Sequence, residues 1–213
     1  MFASDRDLLA LEPGIFREVL WLGQRLVKGV GSISGTALTM ASQDEGFDDA
    51  GVGEGHVVVV DGVALEVISR ESATELTVSR LRESVTGDPV GAGTIADKVV
   101  EVSSFTPQIS IVHGQVLRML GLRASGESGD APSEDDVTNP SRLALVEALG
   151  AAHLVYAGAA AAGGSAGDLA HKAALYRERF AGERQRAAAV LDLDGDGEAD
   201  ATRRMNVIQF VRA

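Results

Sequence analysis

A chain of 213 residues with 45% hydrophobic content can bury a core as one large domain or two small ones, which excludes a disordered polypeptide. Its net charge of −12 and pI near 4.7 argue against a protein that grips nucleic acid over a broad surface, because neutralising phosphates takes clustered Lys and Arg. The absence of cysteine excludes a disulfide framework, a thiol nucleophile and a thiolate metal site.

The N-terminus, Met1-Phe2-Ala3-Ser4-Asp5-Arg6-Asp7, places acids where a signal peptide needs a basic region and an apolar run. No stretch is expected to reach membrane-spanning length, so the protein is expected to be made and used in cytoplasm, without a membrane partner. Across residues 15–27, Phe16, Val19, Leu20, Gly23 and Val27 fit a helical stripe while Trp21 and Leu22 fill the other face, and a helix is expected. From residue 32 to 105 the pattern is short, β-rich and punctuated by glycine, as in the hairpins of a small sheet or barrel. Its clearest hairpin is Val57-Val58-Val59-Val60, then Asp61-Gly62, then residues 63–68, because Asp-Gly supplies the positive φ angles of a tight primed turn. Residues 74–81 and 98–105 also read as strands.

After Phe105 the period becomes helical. Thr106-Pro107 offers a capping hydroxyl followed by proline at the first helical position, Ile109, Val112, Val116 and Leu120 recur on one face, and Gly121 stands as a stop. Asn139-Pro140 repeats the device and opens a helix through Leu143, Val146, Leu149, His153 and Tyr156. Between them, residues 124–138 are rich in Ser, Gly, Asp and Glu and read as an acidic surface loop that cannot bury enough apolar surface to order itself. A Gly/Ala stretch over 158–167 leads to a third helix over 168–190, and three helices make a small bundle. The chain thus divides into an N-terminal segment 1–31, a β-rich region 32–105, a helical bundle 106–190 containing the acidic loop, and an acidic turn with a C-terminal arm, 191–213.

The sharpest local motif is Asp192, Asp194 and Asp196 with Gly197, Glu198 and Asp200, which matches the start of a calcium loop. Arg203 occupies the twelfth position, where a closing carboxylate belongs, so an acidic turn that redirects the chain is the favoured reading and no cofactor is expected. The four histidines, His56, His113, His153 and His171, lack metal-ligand spacing, and no serine sits in a nucleophile elbow. Gly51-Val52-Gly53-Glu54-Gly55 precedes a strand and lacks a lysine, so it is read as a hairpin approach instead of a phosphate loop. Nothing assembles an active site, and the protein is expected not to be an enzyme. Lys172, Arg177, Arg179, Arg184 and Arg186 form a basic cluster on the third helix; Arg177, Arg179 and Arg184 could meet the acidic turn of another copy in a head-to-tail ring. The tail 201–213 mixes Arg203 and Arg204 with Val207, Ile208, Phe210 and Val211, an apolar terminus suited to docking on a partner.

Three segments carry a resemblance: Gly55-His56-Val57-Val58-Val59-Val60-Asp61-Gly62, Phe105-Thr106-Pro107-Gln108-Ile109 through Arg118-Met119-Leu120, and Tyr176-Arg177-Glu178-Arg179-Phe180 leading to Leu191-Asp192-Leu193-Asp194-Gly195-Asp196-Gly197. With these the chain resembles the head-to-tail connector adaptors, or head completion proteins, of tailed bacteriophages and gene transfer agents. The resemblance implies a helical bundle with a C-terminal arm, and the β-rich region departs from it by exceeding a minimal helical adaptor. Together with that region the expected fold is α+β, a three-helix adaptor-like bundle with an additional small β-sheet or barrel region in the N-terminal half and an extended C-terminal arm. It also implies a structural protein of the virion neck that forms a ring, usually twelvefold, beneath the portal. There it would link the portal to the next neck or tail protein while DNA passes through without specific binding. The portal contacts would come from Arg203, Arg204, Val207, Ile208, Phe210 and Val211. Two alternatives stand beside it: another neck layer, such as a stopper or tail terminator, and a secreted or periplasmic calcium-dependent binding module using Asp192, Asp194, Asp196, Glu198 and Asp200.

Overall fold

Glycine closes the first half of the chain into a barrel. In β1 (Arg25–Ser34), a Cβ on Gly29 would overlap the Ser42 carbonyl oxygen, and one on Gly31 would lie 2.8 Å from that of Thr39. The pairing register of β1 shifts beside Gly31 against both of its neighbours. Bare glycine backbone and bulges bend a strand sharply, so one long strand reaches both β2 (Ala37–Gln43) and β6 (Thr94–Ser103). With β3 (Val57–Val60), β4 (Val63–Arg70) and β5 (Glu75–Ser79), the result is a closed antiparallel barrel in the order β1-β2-β5-β4-β3-β6. The Asp61-Gly62 turn joins β3 to β4 with both residues at positive φ, 51° and 79°.

The structure, a computed structural model, describes residues 1–163 and 166–205. It divides into two compact units, Ser4–Thr106 and Met1–Ala3 with Pro107–Ala213. In the first unit, alternate residues such as Val27, Ile33, Leu38, Val58, Leu65 and Val102 point into the barrel and are essentially fully buried. The connection between β2 and β3 adds Phe47 and Val52 to the same core, and Arg70 fastens it by donating to their carbonyl oxygens at 3.3 and 2.8 Å. Helix α1 (Asp5–Leu11) starts with a capping box between Ser4 and Asp7 and buries Leu8 and Leu9.

The second unit is built on α3 (Thr106–Leu120), α4 (Pro140–Ala161) and α5 (Ala166–Arg186), followed by a two-stranded sheet of β7 (Ala188–Leu191) and β8 (Ala201–Arg204). At Gly150 the helices approach closely: a Cβ there would come within 2.7 Å of Val112 on α3 and 3.1 Å of Phe180 on α5. Val112, Val116, Leu120, Leu143 and Val146 form its core with Ala189, Leu191 and Met205.

Several expectations are corrected. The fold is not a three-helix adaptor-like bundle with an accessory β region, because the β region is a six-stranded closed barrel forming a unit of its own, with five α-helices among the described residues. The helix expected over 15–27 stops after one turn, α2 (Ile15–Glu18); a 3₁₀ turn, Leu22–Gln24, intervenes and β1 begins at Arg25. The third helix ends at Arg186, and the four residues from Ala188 form a strand. The connection expected from residue 158 begins only after Ala161. In the acidic loop a capped 3₁₀ turn, Glu134–Asp136, is bonded into its surroundings. Finally, α4 is long and apolar enough to cross a membrane, with a mean hydropathy of 1.5 over its best window, contrary to the expectation that no stretch would be. With 61% of that window buried, α4 is the core helix of its unit, and alanine and glycine supply much of its apolar length.

Candidate functional site

The C-terminal hairpin is held from both sides by side chains that imitate backbone. Asn139, just before α4, accepts from the Val190 amide at 2.9 Å through Oδ1 and donates through Nδ2 to the Ala188 carbonyl at 3.0 Å. The residue expected to cap α4 therefore spends its side chain on β7, and makes no side-chain cap bond. The Thr138 amide donates to the Val190 carbonyl at 2.9 Å, and Asp192 N to Asp136 O at the same distance. β7 is thus flanked by residues 136–139 on one edge and β8 on the other. Its Ala189 and Leu191 face the core. From β8, Arg203 reaches the end of α3 and donates to the carbonyls of Leu120 at 3.1 Å and Gly121 at 2.6 Å. These carbonyls lack intrahelical partners and carry the negative end of the helix dipole, so a guanidinium suits them. Arg204, next along, is exposed and has no partner among the described residues. Of the tail residues expected to touch a portal, Val207, Ile208, Phe210 and Val211 lie outside the described residues.

The hairpin loop folds around its own carboxylates. Asp192 accepts from the amides of Gly195 at 2.7 Å and Gly197 at 2.9 Å, and Asp200 accepts from Leu193 at 2.6 Å. Carboxylate oxygens of Asp192, Asp194 and Asp200 lie within 4.8 Å of one another. Asp196 and Glu198 are not in that group; Asp196 instead accepts from the Glu198 amide at 2.7 Å. Position twelve, Arg203, is turned away onto α3, and Asp200 at position nine completes the trio, which pairs with no Lys or Arg among the described residues. Three hard oxygen donors at this spacing could hold a divalent cation.

The basic cluster of α5 is used differently within the unit. Tyr176 stacks on Tyr156 with ring centroids 5.7 Å apart and planes 6° from parallel. Lys172 lies 5.1 Å from the Tyr156 ring, Arg179 5.9 Å from Tyr176, and Arg184 5.7 Å from Phe180. Cations over aromatic faces are attracted by the ring quadrupole. Glu183 pairs with Arg186 at 3.0 Å. Of the three arginines expected at a subunit interface, Arg177 and Arg179 are exposed, and Arg177 has no partner among the described residues.

The histidines do not converge. His56 contacts Gly53, and His153 the Ala173 carbonyl at 3.0 Å. Trp21 stacks edge-on to Phe105, with ring centroids 6.1 Å apart. Sequence reasoning missed two clusters built around buried carboxylates. In the barrel unit Glu66, fully buried, meets Arg6 Nε at 2.5 Å and Arg82 Nε at 2.8 Å. Burial works to raise its pKa, but the bonds from Arg82 and Arg6 hold the carboxyl below the usual carboxylate range. In the helical unit Glu147, also fully buried, meets His113 at 2.7 Å. The available signal was one acid isolated in each apolar run, Val63-Ala64-Leu65-Glu66-Val67-Ile68 and Leu143-Ala144-Leu145-Val146-Glu147-Ala148-Leu149.

No protein-family model matches the chain, and neither a curated protein nor a solved structure is significantly similar to it.

Proposed function

We propose that the protein is a structural adaptor of the virion neck, assembled as a ring, twelvefold by the resemblance, beneath a portal and above the next neck or tail protein. The observation that carries this reading is the anchoring of the C-terminal hairpin. Asn139 bonds one edge of β7, and Arg203 ties β8 to the end of α3, so the chain leaves Met205 from a fixed, buried point. The sequence that follows brings Val207, Ile208, Phe210 and Val211, four apolar side chains in five positions. Such a segment suits an apolar groove or the addition of a strand to an exposed sheet edge. In this reading Arg203 is the anchor, while Arg204 and the four apolar residues meet the portal.

Charge fits the same role. A net charge of −12 lets DNA move past without sticking, since like charges repel. Subunit contacts would use Arg177 and the outer edges of Arg179 and Arg184 against an acidic patch of the next copy. The place of action would be the neck of the particle after synthesis in host cytoplasm, with no membrane and no catalytic step. Co-purification with the portal of the same genome tests the reading. Full-length protein should be retained, and a chain lacking residues 207–213 should not be, while its circular dichroism and melting stay unchanged. Retention of the truncated chain would overturn the docking role.

A second reading is favoured by one observation, the convergence of Asp192, Asp194 and Asp200. Three unneutralised carboxylates repel one another, and a calcium ion would relieve that cost. A calcium-dependent binding module would bind the ion tightly and form no ring. A calcium titration combined with the mass of the particle in solution separates the two readings.

A further inference from the structure

His113 stands between two carboxylates that belong to different parts of the helical unit. Its Nδ1 lies 2.7 Å from Glu147 Oε1 on α4, and its Nε2 lies 3.0 Å from Glu134 Oε2 in the acidic loop. Glu147 is fully buried, and its second oxygen accepts the backbone amides of Phe2 at 3.0 Å and Ala3 at 2.9 Å. The Phe2 ring meets the imidazole edge-on at 5.3 Å. On the far side, Glu134 accepts the Ser125 amide at 3.0 Å. One ring therefore connects the first residues, the acidic loop, α3 and α4.

Donor counting sets the condition for this chain. Ionised carboxylates only accept, and a neutral imidazole carries a single N–H, so both contacts are hydrogen bonds only when the ring is an imidazolium. We infer that His113 is the proton-dependent clasp that fastens residues 1–3 and the loop around Ser125 and Glu134 to the helices, closed in acid and loosened as the ring loses its proton. The charged groups that touch the ring among the described residues are Glu147 from α4 and Glu134 from the loop, with the Met1 amine 3.1 Å from Glu134. Burial alone would raise the Glu134 pKa. Bonds from Ser125 and the Met1 amine, with the His113 charge, hold it below the usual carboxylate range, which favours Glu134 as an ionised acceptor for the ring. A clasp of this kind would let pH govern whether an acidic loop is presented or held.

Amide hydrogen exchange of the full chain, followed by NMR from about pH 5 to about pH 9, spans the range in which histidine changes charge. After correction for intrinsic exchange, protection of Ser125 and Ala3 should fall several-fold in one step. That step should track the His113 ring shifts. In His113→Gln the step should vanish and protection should sit at the lower level throughout. Wild-type protection with no step, or a step that does not follow the His113 ring, would overturn the clasp; the wild-type profile decides the matter if the variant does not fold.

Discussion

Arg203 on β8 donates to the Gly121 carbonyl at 2.6 Å, so the last strand of the described chain is tied to the end of a helix 82 residues earlier. Gly121 sits at φ 64°, the left-handed conformation that ends a helix and leaves its carbonyls open to such a donor. The contact makes the hairpin part of the helical core and gives the tail a fixed origin.

Replacing Arg203 with alanine should therefore act through the fold, whereas Arg204→Ala should act through attachment. Hydrogen bonds to a charged group contribute about 1.5–3 kcal/mol, so Arg203→Ala should lower the melting temperature by several degrees. Arg204→Ala should melt as wild type yet bind a portal less tightly. Equal melting of the two variants would remove the anchor from the account.

The Glu66 cluster should carry a large share of the stability of the barrel unit. Breaking a buried ion pair from one side costs about 3–5 kcal/mol, because the remaining charges stay buried and uncompensated. Glu66→Gln, which leaves Arg6 and Arg82 facing a neutral amide, should be destabilised on that scale in urea. The sign with pH follows from the lowered pKa: the contribution is present above the ordinary carboxylate range and is lost as pH falls through the depressed value. Denaturation curves in acid should show wild type and variant converging.

Asp5 should show the reverse. It is 2% exposed, and burial raises its pKa, against the opposing bonds from Ser104 and the Phe105 amide. A raised carboxyl pKa favours the protonated native state, so stability declines as pH rises from the unfolded value to the folded one. Asp5→Asn can still accept from Phe105, which now donates to Asp5 at 2.8 Å, and carries no charge to bury. It should match wild type in acid and exceed it at neutral pH, as read by thermal melts at both.

If calcium occupies the hairpin loop, Asp200→Ala should lose more affinity than Glu198→Ala, because Asp200 lies in the carboxylate trio and Glu198 does not. Isothermal titration distinguishes them. Equal losses would mean that the loop binds in some other geometry.

Local chemistry was legible where a turn or a helix start has its own signature. Asp61-Gly62 announces the β3–β4 hairpin through its positive φ angles, and Pro107 and Pro140 mark the openings of α3 and α4. At the first of these the capping hydroxyl is Ser104, which accepts the Thr106 amide at 3.1 Å, because Thr106 is already helical. Barrel closure was hidden: it depends on the close backbone approach at Gly29 and the register shifts beside Gly31, which break the alternation that marks a strand. The strand β7 was hidden because Ala188-Ala189-Val190-Leu191 prolongs the apolar content of α5, while its edges are satisfied by Asn139 and β8. Pairs such as His113 and Glu147, 34 residues apart, are brought together only by the packing of α3 on α4.

The most direct measurement is negative-stain electron microscopy of the purified protein mixed with the portal ring from its own genome. The adaptor reading predicts an added layer of density at one end of the portal, lost when residues 207–213 are removed. A bare portal at saturating protein would contradict it and turn attention to a lower neck layer or to the calcium-binding hairpin.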